Sequence, residues 1–392
     1  MDKKISVNIV SEAQAWEVKG QGVYTATLVL AEALSKREDL EVTVNGNKIY
    51  DIAHLHTPGP YAVSKGLLTG RRVVISAHVV PESVLGSLVL SNVWLPFFTN
   101  YLKRYYNLAD VVVAVSPKVK EELKEIGVKA PIVFVPNPVN LERFCADDNL
   151  RMEGRKRLGI ASEDFVVVCS GQIQPRKGVD SFLDVAKMLP DIKFVWVGGQ
   201  PFSVLTAGYI EINEKIKKAP SNVIFTGIVP YEEMPIYFNA ADVFFFPSFQ
   251  ENFPMAVLEA ASCGLPLLLR DNPEYREPYR DWYIPAKDNQ EFKEYIIKLW
   301  EDENFRKENK VKAFRLAQEY GADSVAERMV KVYREILKIP PRMKRDFFTL
   351  DPLREEWRKL FQNAGYKEDK NLPHSSPRKR ILTFNKDFKD KI

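Results

Sequence analysis

Short apolar runs alternate with amphipathic segments along most of this chain. The runs are rich in β-branched and aromatic residues and contain few polar positions. They are, in order, ISVNIV, VVISAH, VVVAVS, IVFVPN, FVVVCSG, FVWVGG, VIFTG, VFFFPS and LPLLLRD. Strands of this kind are typical of parallel sheets that helices cover on both faces. The pattern therefore predicts an α/β fold with a doubly wound parallel sheet in each half of the chain.

The length of the chain favours two domains. A chain of 392 residues is long for a single hydrophobic core. A polar stretch with a short charged helix lies between Cys145 and Gly159, where the join is expected. We therefore predict a Rossmann-like domain over residues 1–150 and a second one over residues 151–339. The second ends in a helical run, whose last helix is able to cross back to the first domain.

Pro340 and Pro341 separate a basic extension, residues 340–392, from the second domain. The extension has 14 Lys and Arg against 8 Asp and Glu, so its net charge is +6. Two interpretations stay open for it. The charge can hold the extension at an anionic lipid surface, or the extension can pack on the first domain. The helical pattern of residues 351–366 favours packing for its first part.

Composition excludes several classes of function. The chain is 45% hydrophobic and 28% charged, as in ordinary soluble globular proteins. A formal net charge of +4 is too small to indicate nucleic-acid binding. The three cysteines, Cys145, Cys169 and Cys263, form no CxxC pair, which argues against a disulfide framework or zinc site and favours a reducing compartment. We expect no secretory signal and no membrane-spanning helix.

Two glutamates mark the segment FQENFPMAVLEAASCGLP. Pro254 suits a first helical turn and Gly264 suits a helix end, so Glu251 is placed at the helix entrance and Glu259 on the helix. A carboxylate can accept two hydrogen bonds from a ribose diol, which suits Glu259, or from sugar hydroxyls, which suits Glu251. Backbone amides after Glu251 would face a diphosphate. The alternative is two surface glutamates on an amphipathic helix.

A second segment, SGQIQPRKGVD, follows a predicted strand and opens a helix. Gly171 stands at the strand end, and Arg176 and Lys177 offer charge-assisted hydrogen bonds to phosphate. The order of residues is not that of a Walker loop. The alternative here is a solvated basic turn.

A third segment, KGQGVYTA, follows the first predicted strand. Gly20 and Gly22 would let the backbone approach a ligand, and the helix that follows would direct its amides at an anion. A simple tight turn is the alternative.

These segments together resemble the retaining glycosyltransferases of family 4, over roughly residues 5–337. The most specific likeness is the pair Glu251 and Glu259 with seven residues between them, followed by ASCGLP and preceded by AADVFFFPS. RKG, VPNPVN and ADVVVAVSP match further segments of the family. The resemblance implies the GT-B fold, in which two Rossmann-like domains face each other across a cleft.

The resemblance also implies roles for individual residues. Glu259 would hold the nucleotide ribose, and Glu251 would contact the donor sugar together with the loop of Asn252, Phe253 and Pro254. Lys177, Arg176 and Gly171 would bind the diphosphate from one side and Gly22 from the other. His78 matches the family's active-site histidine, so His78 and Glu251 are the expected catalytic residues. The family's usual arginine after the glycine of the phosphate turn is Gln172 here, and Pro138 replaces a usual glycine.

The other histidines and the acidic residues give no metal motif. His54 and His56 share one face at the end of a predicted strand, where a metal pair is one interpretation and two ordinary cleft or core histidines the other. Without an Asp-x-Asp or a carboxylate cluster we expect no metal and no cofactor. Lys177, Arg176 and helix dipoles would then stabilise the leaving diphosphate.

An aromatic and basic helix is predicted in the segment SNVWLPFFTNYLKRYYNLAD. Trp94, Phe97, Phe98 and Tyr101 recur at helical spacing beside Lys103 and Arg104, as on helices that lie on a bilayer. Packing of this helix on the first sheet is the alternative. Several segments here resemble the bacterial diacylglycerol α-glucosyltransferases and their second-sugar relatives, which are peripheral membrane enzymes.

The sequence therefore predicts a retaining hexosyltransferase that uses a nucleotide sugar, UDP-linked by preference, and acts on diacylglycerol or a glycosyl-diacylglycerol. It would be cytoplasmic, on the inner face of the cell membrane, with an anionic surface as a partner and no nucleic acid. Three alternatives remain: a soluble acceptor such as a sugar phosphate or polysaccharide end, a nucleotide-sugar epimerase, and a degenerate binding subunit. The hexose and the oligomeric state stay open.

Overall fold

The computed structural model describes residues 4–16, 22–84, 91–200 and 209–339, with two short strands beyond them at residues 366–368 and 382–384. For residues 84, 91–94, 209–210 and the two distant strands it describes the backbone alone.

The first half of the chain forms a six-stranded sheet in which every neighbouring pair of strands is parallel. The strand order is β2-β1-β3-β4-β5-β6. The strands are β1 (Ile5–Val10), β2 (Leu40–Val44), β3 (Tyr50–Leu55), β4 (Gly70–Ala77), β5 (Val111–Ala114) and β6 (Ile132–Phe134).

The second half repeats this plan with a sheet of order β12-β11-β10-β7-β8-β9, again parallel throughout. Its strands are β7 (Val166–Ser170), β8 (Lys193–Val197), β9 (Val223–Phe225), β10 (Val243–Phe246), β11 (Leu267–Arg270) and β12 (Ile284–Ala286). The two sheets confirm the predicted α/β fold. Beyond them, β13 (Tyr366–Glu368) and β14 (Leu382–Phe384) pair antiparallel.

Helices flank both sheets. Those of the first half are α1 (Glu12–Ala15), α2 (Gly22–Ser35), α3 (Pro60–Thr69), α4 (Pro81–Val84), α5 (Ser91–Tyr106) and α6 (Pro117–Glu125). Those that follow are α7 (Asp148–Leu158), α8 (Val179–Met188), α9 (Tyr209–Lys217), α10 (Met234–Asn239), α11 (Met255–Ser262), α12 (Pro273–Tyr279), α13 (Asn289–Glu301), α14 (Glu303–Glu319) and α15 (Ala322–Leu337). No helix in the described ranges is long and apolar enough to cross a membrane.

Most of the apolar runs form strands that are buried on both faces, whereas β9 is half-buried throughout. All four residues of β5 and all four of β10 are buried, as are the five of β7. Aromatic side chains fill the second core: Phe182 packs edge to face against Phe194 and Trp196 and lies parallel to Phe245. Burial of this kind contributes about 25 cal/mol per Å² of apolar surface.

The last helix, α15, returns to the first half of the chain. Met329, Val330 and Tyr333 belong to one buried apolar cluster with strand residues of the first sheet such as Val7 and Ile9. Backbone hydrogen bonds fix the crossing, from the Val139 amide to the Tyr320 carbonyl (2.9 Å) and from the Ala322 amide back to the Val139 carbonyl (2.9 Å). The two sheets therefore share a connection apart from the linker that joins them.

Candidate active site

A cavity of about 500 Å³ lies between the two halves, beyond the carboxyl ends of the strands. This is the place where open parallel sheets bind ligands. The predicted residues that line it are Gly22, His78, Gly171, Arg176, Lys177, Glu251, Asn252, Phe253, Pro254 and Glu259. The fold thus brings together every residue expected at the donor and catalytic site.

The glutamate segment folds as its residues predict. The loop that carries Glu251 follows β10, and α11 begins at Met255. Pro254 is the N-cap residue with extended backbone, one position before the first helical turn in which we expected it. Gly264 follows the helix with φ of +76°, a conformation that favours glycine. Glu251 therefore stands at the helix entrance and Glu259 in its second turn, and both are buried.

Glu251 is held in a buried ion pair. The ammonium of Lys177 donates to Glu251 Oε1, and the Ser248 hydroxyl donates to the same oxygen at 2.7 Å. Burial alone would raise the pKa of Glu251, but the charges of Lys177 and Arg176 outweigh it and the pKa is lowered. Glu251 is therefore a carboxylate at neutral pH. No pattern in the sequence predicts this pairing, since 74 positions separate the two residues.

Lys177 is positioned by a tight turn. A 3-10 turn, Pro175–Lys177, ends at Gly178, whose φ is +76° and whose added Cβ would lie 2.3 Å from the Pro247 carbonyl oxygen. Only glycine fits there. The Arg176 guanidinium donates to the Gln250 carbonyl at 3.2 Å, and the Phe249 amide donates to the Arg176 carbonyl at 2.8 Å. The basic turn and the glutamate loop are thus one bonded unit.

The segment around Gly171 lies close to β8. The Gly171 amide donates to the Val197 carbonyl at 3.0 Å, and the Trp196 indole donates to the Gly171 carbonyl at 3.0 Å. Gln172, at the position of the missing arginine, accepts from the Gln174 side chain at 2.8 Å. An amide pair therefore occupies the place where the family's arginine stands.

Glu259 lies in a different environment from Glu251. Its Oε1 is buried and has no hydrogen-bond partner within the described part of the chain. Burial raises the pKa of Glu259 to about 8, although Tyr231 and Arg143 act in the opposite direction. A ligand that donates hydrogen bonds to this carboxyl would relieve the cost of its burial.

Arg143 and Tyr231 stand beside Glu259, and sequence reasoning missed both. The guanidinium of Arg143 lies 5.0 Å from the centre of the Tyr231 ring, and Phe144 packs on the same ring. Arg143 also pairs with Glu32 of α2, at 3.6 Å. Nothing in the sequence distinguishes Tyr231 from the other tyrosines, and the position of Arg143 just after VPNPVN was the one available signal.

Side chains of the first half fix the glutamate loop from the other side. The Asn252 amide donates to the His78 carbonyl at 2.9 Å, and the Asn137 amide donates to the Phe253 carbonyl at 3.0 Å. Phe253 itself packs against Tyr279 and Tyr320. The loop that begins with Glu251 is therefore held by both halves of the chain.

The first half contributes a neutral wall to the cavity. Gly22 opens α2 beside it, while residues 17–21, with Gly20, lie outside the described ranges. His78 follows β4, and its Nε2 lies 3.0 Å from Nδ1 of His56. Burial lowers the pKa of His78 to about 4 and that of His54 to about 3, so both are uncharged at neutral pH. No group of three or more His, Cys, Asp and Glu side chains in the described ranges has the arrangement of a metal site.

Helix α5 packs with one face and exposes the other. Leu102 and Tyr105 are buried, and the Tyr105 hydroxyl donates to the Thr57 carbonyl at 2.8 Å. Phe97 is 80% exposed and Tyr101 42%. Packing on the first half is therefore confirmed for one face of the helix, and contact of the exposed face with a bilayer stays a prediction.

The remaining residues predicted on α5 follow the same division. Arg104 is exposed, and Phe98 and Lys103 are half-buried. Trp94 lies on the helix, but its side chain is outside what the structure describes.

Known families match both halves of the chain. Residues 21–143 match the family described as Glycosyltransferase Family 4, and residues 151–315 match the one described as Glycosyl transferases group 1. The Alpha-galactosylglucosyldiacylglycerol synthase of Streptococcus pneumoniae is 33% identical over 347 residues, which cover 85% of this chain and 90% of that protein. The Processive diacylglycerol alpha-glucosyltransferase of Acholeplasma laidlawii is 27% identical, over 76% of this chain and 90% of that protein.

Solved structures share the architecture. Anabaena Alr3699/HepE in complex with UDP and glucose superimposes with a TM-score of 0.67 at 17% identity, over 84% of this chain and 99% of that one. Sucrose-phosphate synthase from Thermosynechococcus elongatus superimposes with a TM-score of 0.70 at 15% identity, over 86% and 100% of the two chains. At these identities the likeness concerns the fold alone, and it confirms two facing Rossmann-like domains.

Proposed function

The chain belongs to glycosyltransferase family 4. From this premise we propose that it transfers the hexose of a UDP-hexose to the hydroxyl of a membrane lipid, with retention of configuration at the anomeric carbon. The observation that carries the proposal is the meeting of complementary groups in one cavity between the sheets. They are the buried ion pair of Lys177 and Glu251, the guanidinium of Arg176, and the buried carboxyl of Glu259.

The donor would lie along the wall of the second half. Glu259 would accept both ribose hydroxyls, which gives its buried Oε1 a partner. Arg176, Lys177 and the amides at the entrance of α11 would bind the diphosphate, with the start of α2 at Gly22 on the opposite side. The UDP and glucose bound to Anabaena Alr3699/HepE, which shares this fold, support a UDP-linked hexose as the co-substrate. No further cofactor is part of the proposal.

The transfer would proceed on one face of the sugar. The bond from the anomeric carbon to the β-phosphate oxygen breaks, and the acceptor oxygen forms its bond to the same carbon on the same face. The departing phosphate oxygen takes the acceptor's proton, so UDP leaves with the proton and the electron pair. Lys177 and Arg176 stabilise the negative charge that develops on this oxygen. Glu251, held by Lys177 and Ser248, lies where it can accept from the hexose hydroxyls.

A lipid acceptor follows from the relatives and from the surface of α5. The relatives in Streptococcus pneumoniae and Acholeplasma laidlawii are named for the diacylglycerol glycolipids that they make. The exposed Phe97 and Tyr101 can enter the acyl boundary of a bilayer, while Arg104 and Lys103 stand beside them for anionic headgroups. The enzyme would then work as a peripheral protein on the inner face of the cell membrane, with no role for nucleic acid.

We place the domains that close over the donor at residues 1–150 and 151–339. The basic extension, residues 340–392, lies largely outside the described ranges, and so does the helical pattern predicted at its start.

Two other functions are tested by the same assay. Transfer to a soluble acceptor would use the same donor wall without the exposed face of α5. An epimerase would consume the nucleotide sugar with no acceptor at all. A degenerate binding subunit has the least support, because Lys177, Glu251, Glu259 and His78 all line the cavity.

The test is to incubate the full chain with a panel of UDP- and GDP-sugars, with and without diacylglycerol or a monoglycosyl-diacylglycerol in anionic micelles. Nucleoside diphosphate release and lipid-linked sugar are measured by mass spectrometry. Lipid-linked hexose that appears only with one donor supports the proposal and identifies the donor. Turnover with water-soluble acceptors alone, or donor isomerisation, would refute the lipid acceptor.

A further inference from the structure

Three histidines of the first half lie in a row behind the cavity. His54 lies near the end of β3, His56 follows the same strand, and His78 follows the neighbouring strand β4. The ring centres of His54 and His56 are 4.3 Å apart, and those of His56 and His78 are 5.2 Å apart with nearly parallel planes. The row therefore runs from the core of the first half to the wall of the cavity.

The inner end of the row is fully bonded. His54 Nδ1 lies 2.7 Å from the hydroxyl of Tyr333 on α15, and His54 Nε2 lies 2.8 Å from the hydroxyl of Ser76. Hydroxyls donate or accept as required, so both tautomers of His54 are satisfied. This end places no restriction on protons further along the row.

The contact between His56 and His78 restricts which ring nitrogens can carry protons. His56 Nδ1 and His78 Nε2 are 3.0 Å apart, and a hydrogen bond between two ring nitrogens needs one proton, on one of them. His56 is buried and His78 is half-buried at the wall of the cavity. Removal from water lowers the pKa of each ring, so neither is cationic at neutral pH. Two arrangements remain, and they differ in which ring donates.

The other nitrogen of His56 distinguishes the two arrangements. His56 Nε2 is buried and has no hydrogen-bond partner among the described residues. If His78 donated, His56 would carry its proton on Nε2, as a buried N–H without a partner. If His56 donates from Nδ1, Nε2 keeps only a lone pair. Buried orphan N–H groups are rarer in proteins than under-satisfied acceptors, so the second arrangement is favoured.

We propose that His56 is a positioning residue that donates from Nδ1 to His78 Nε2 and so fixes His78 as the neutral Nδ1–H tautomer. His78 then presents a hydrogen-bond donor to the cavity that it lines, and it has no free lone pair with which to act as a base. The identity of the acceptor, a hexose hydroxyl or a phosphate oxygen of the nucleotide sugar, rests on the proposed function. The tautomer itself does not.

The tautomer is measured directly by ¹⁵N NMR of the full chain labelled at histidine. The chain has four histidines, so His56→Asn, His78→Asn and His374→Gln assign the spectrum. We expect a protonated Nδ1 and an unprotonated Nε2 on His78 at pH 7, and a protonated Nδ1 on His56. A protonated Nε2 on His78, a cationic ring or an even mixture of tautomers would overturn the proposal.

Two substitutions at His56 then separate positioning from packing. His56→Asn keeps an N–H near the place of Nδ1, whereas His56→Leu removes the donor and keeps an apolar side chain. We expect His78 in the Leu variant to lose its single tautomer in the NMR spectrum, and kcat for sugar transfer to fall about tenfold, the equivalent of one hydrogen bond, with donor KM nearly unchanged. The Asn variant should retain both the spectrum of His78 and most of kcat.

Equal losses in the two variants, with the Nδ1–H tautomer of His78 kept in both, would contradict the positioning role. The NMR result stands even if no sugar is transferred to lipid, because it needs no substrate. A failure of the proposed function is therefore seen in the donor and acceptor panel, and a failure of this inference is seen in the spectrum.

Discussion

The two walls of the cavity are built on the same plan but differ in charge. Both lie at the carboxyl ends of parallel strands, yet the wall of the second half carries the Lys177–Glu251 ion pair and Arg176, whereas His78 in the wall of the first half is neutral. A donor with a diphosphate needs charge around it, and an acceptor hydroxyl does not. The strand order thus locates the cavity, and the residues that follow each strand decide what each wall can bind.

The largest effect is expected for Lys177→Ala. The substitution removes the cation that we propose stabilises the departing phosphate, and we expect kcat to fall by about 10²–10³. Lys187→Ala is the matched control. Lys187 is an exposed lysine on α8, the helix that follows the turn of Lys177, and it pairs with Asp184 at the surface. Steady-state kinetics with the donor found in the panel measures both.

Loss of Lys177 also leaves Glu251 buried without its partner, which destabilises the fold by roughly 3–5 kcal/mol. The double variant Lys177→Ala with Glu251→Gln removes that unpaired charge and should recover much of the melting temperature without recovering kcat. If kcat returned together with stability, the cation would have no role in transfer.

A smaller effect is expected for Glu259→Gln at pH 9, where the wild-type carboxyl is ionised and the substitution keeps its shape but removes its charge. We expect donor KM at this pH to rise about 10–100-fold with kcat nearly unchanged, because hydrogen bonds to a charged group contribute roughly 1.5–3 kcal/mol each. Glu294→Gln, an exposed position on α13, serves as the control. A fall in kcat at unchanged KM would contradict ribose binding by Glu259.

The charge of Glu259 also predicts a pH dependence. Its folded pKa of about 8 is above the ordinary 4.5. Its contribution to stability is therefore complete below pH 4.5 and is lost as pH rises through 8. Glu259→Gln should melt above the unliganded wild type at pH 9 and near it at pH 4.5. UDP affinity of the wild type should increase through pH 8, and a flat profile in calorimetric titration would contradict this.

The exposed face of α5, in the first half but outside the cavity, makes a prediction about lipid. Phe97→Ser removes an exposed aromatic ring from α5, and we expect binding to vesicles with anionic lipid to weaken on the order of fivefold, the equivalent of about 1 kcal/mol of apolar burial. Val311→Ser, 54% exposed on α14, changes a comparable apolar position in the second half. Equal loss in co-sedimentation for the two variants would show that the first half has no privileged contact with the bilayer.

The smallest effect is expected for a substitution of Glu122, which lies beside Lys118 where the two halves meet. The Lys118 ammonium lies 3.4 Å from Glu82, 3.8 Å from Glu122 and 3.5 Å from Glu274 of α12. Burial, with Glu82 and Glu125 nearby, raises the pKa of Glu122 to about 7 despite Lys118. Stability from this group is complete below pH 4.5 and is lost as pH rises through 7.

Glu122→Gln should therefore melt about 1–3 °C above the wild type at pH 8 and level with it near pH 4.5. Glu121→Gln, the exposed neighbour that pairs with Lys124, is the control. A difference between Glu122→Gln and the wild type that is constant across pH would rule out titration of this carboxyl as the cause.

Local patterns in the sequence predicted most of the second sheet and the glutamate segment. Pro254, Gly264 and the apolar run before Glu251 fix the start and end of α11 within a few residues, so local chemistry was enough. One edge strand of each six-stranded sheet, β2 and β12, was missed for a physical reason, whereas the edge strands β6 and β9 were predicted. β2 is only partly buried, and β12 contains Pro285, which an edge strand tolerates because one side of it needs no ladder hydrogen bond.

Pairings across the fold could not be predicted. The contact of His56 with His78 spans 22 positions and joins two strands, and that of Glu251 with Lys177 joins two separate loops. Arg143 reaches Tyr231 from the linker between the halves. Such contacts depend on strand order and register, which composition and periodicity do not contain. Most residues of the site were therefore predictable, but Arg143 and Tyr231 and the proton states and partners of the others were not.

The return of α15 to the first sheet affects how the chain can fold during synthesis. Val325, Met329, Tyr333 and Ile336 complete the apolar core around Val7 and Ile9. A nascent chain that has emerged only as far as β6 thus has an incomplete apolar core. The first domain can complete this core only after the ribosome has synthesised the second domain and α15. Truncated translation products would expose this apolar surface, which makes them targets for chaperones and proteases.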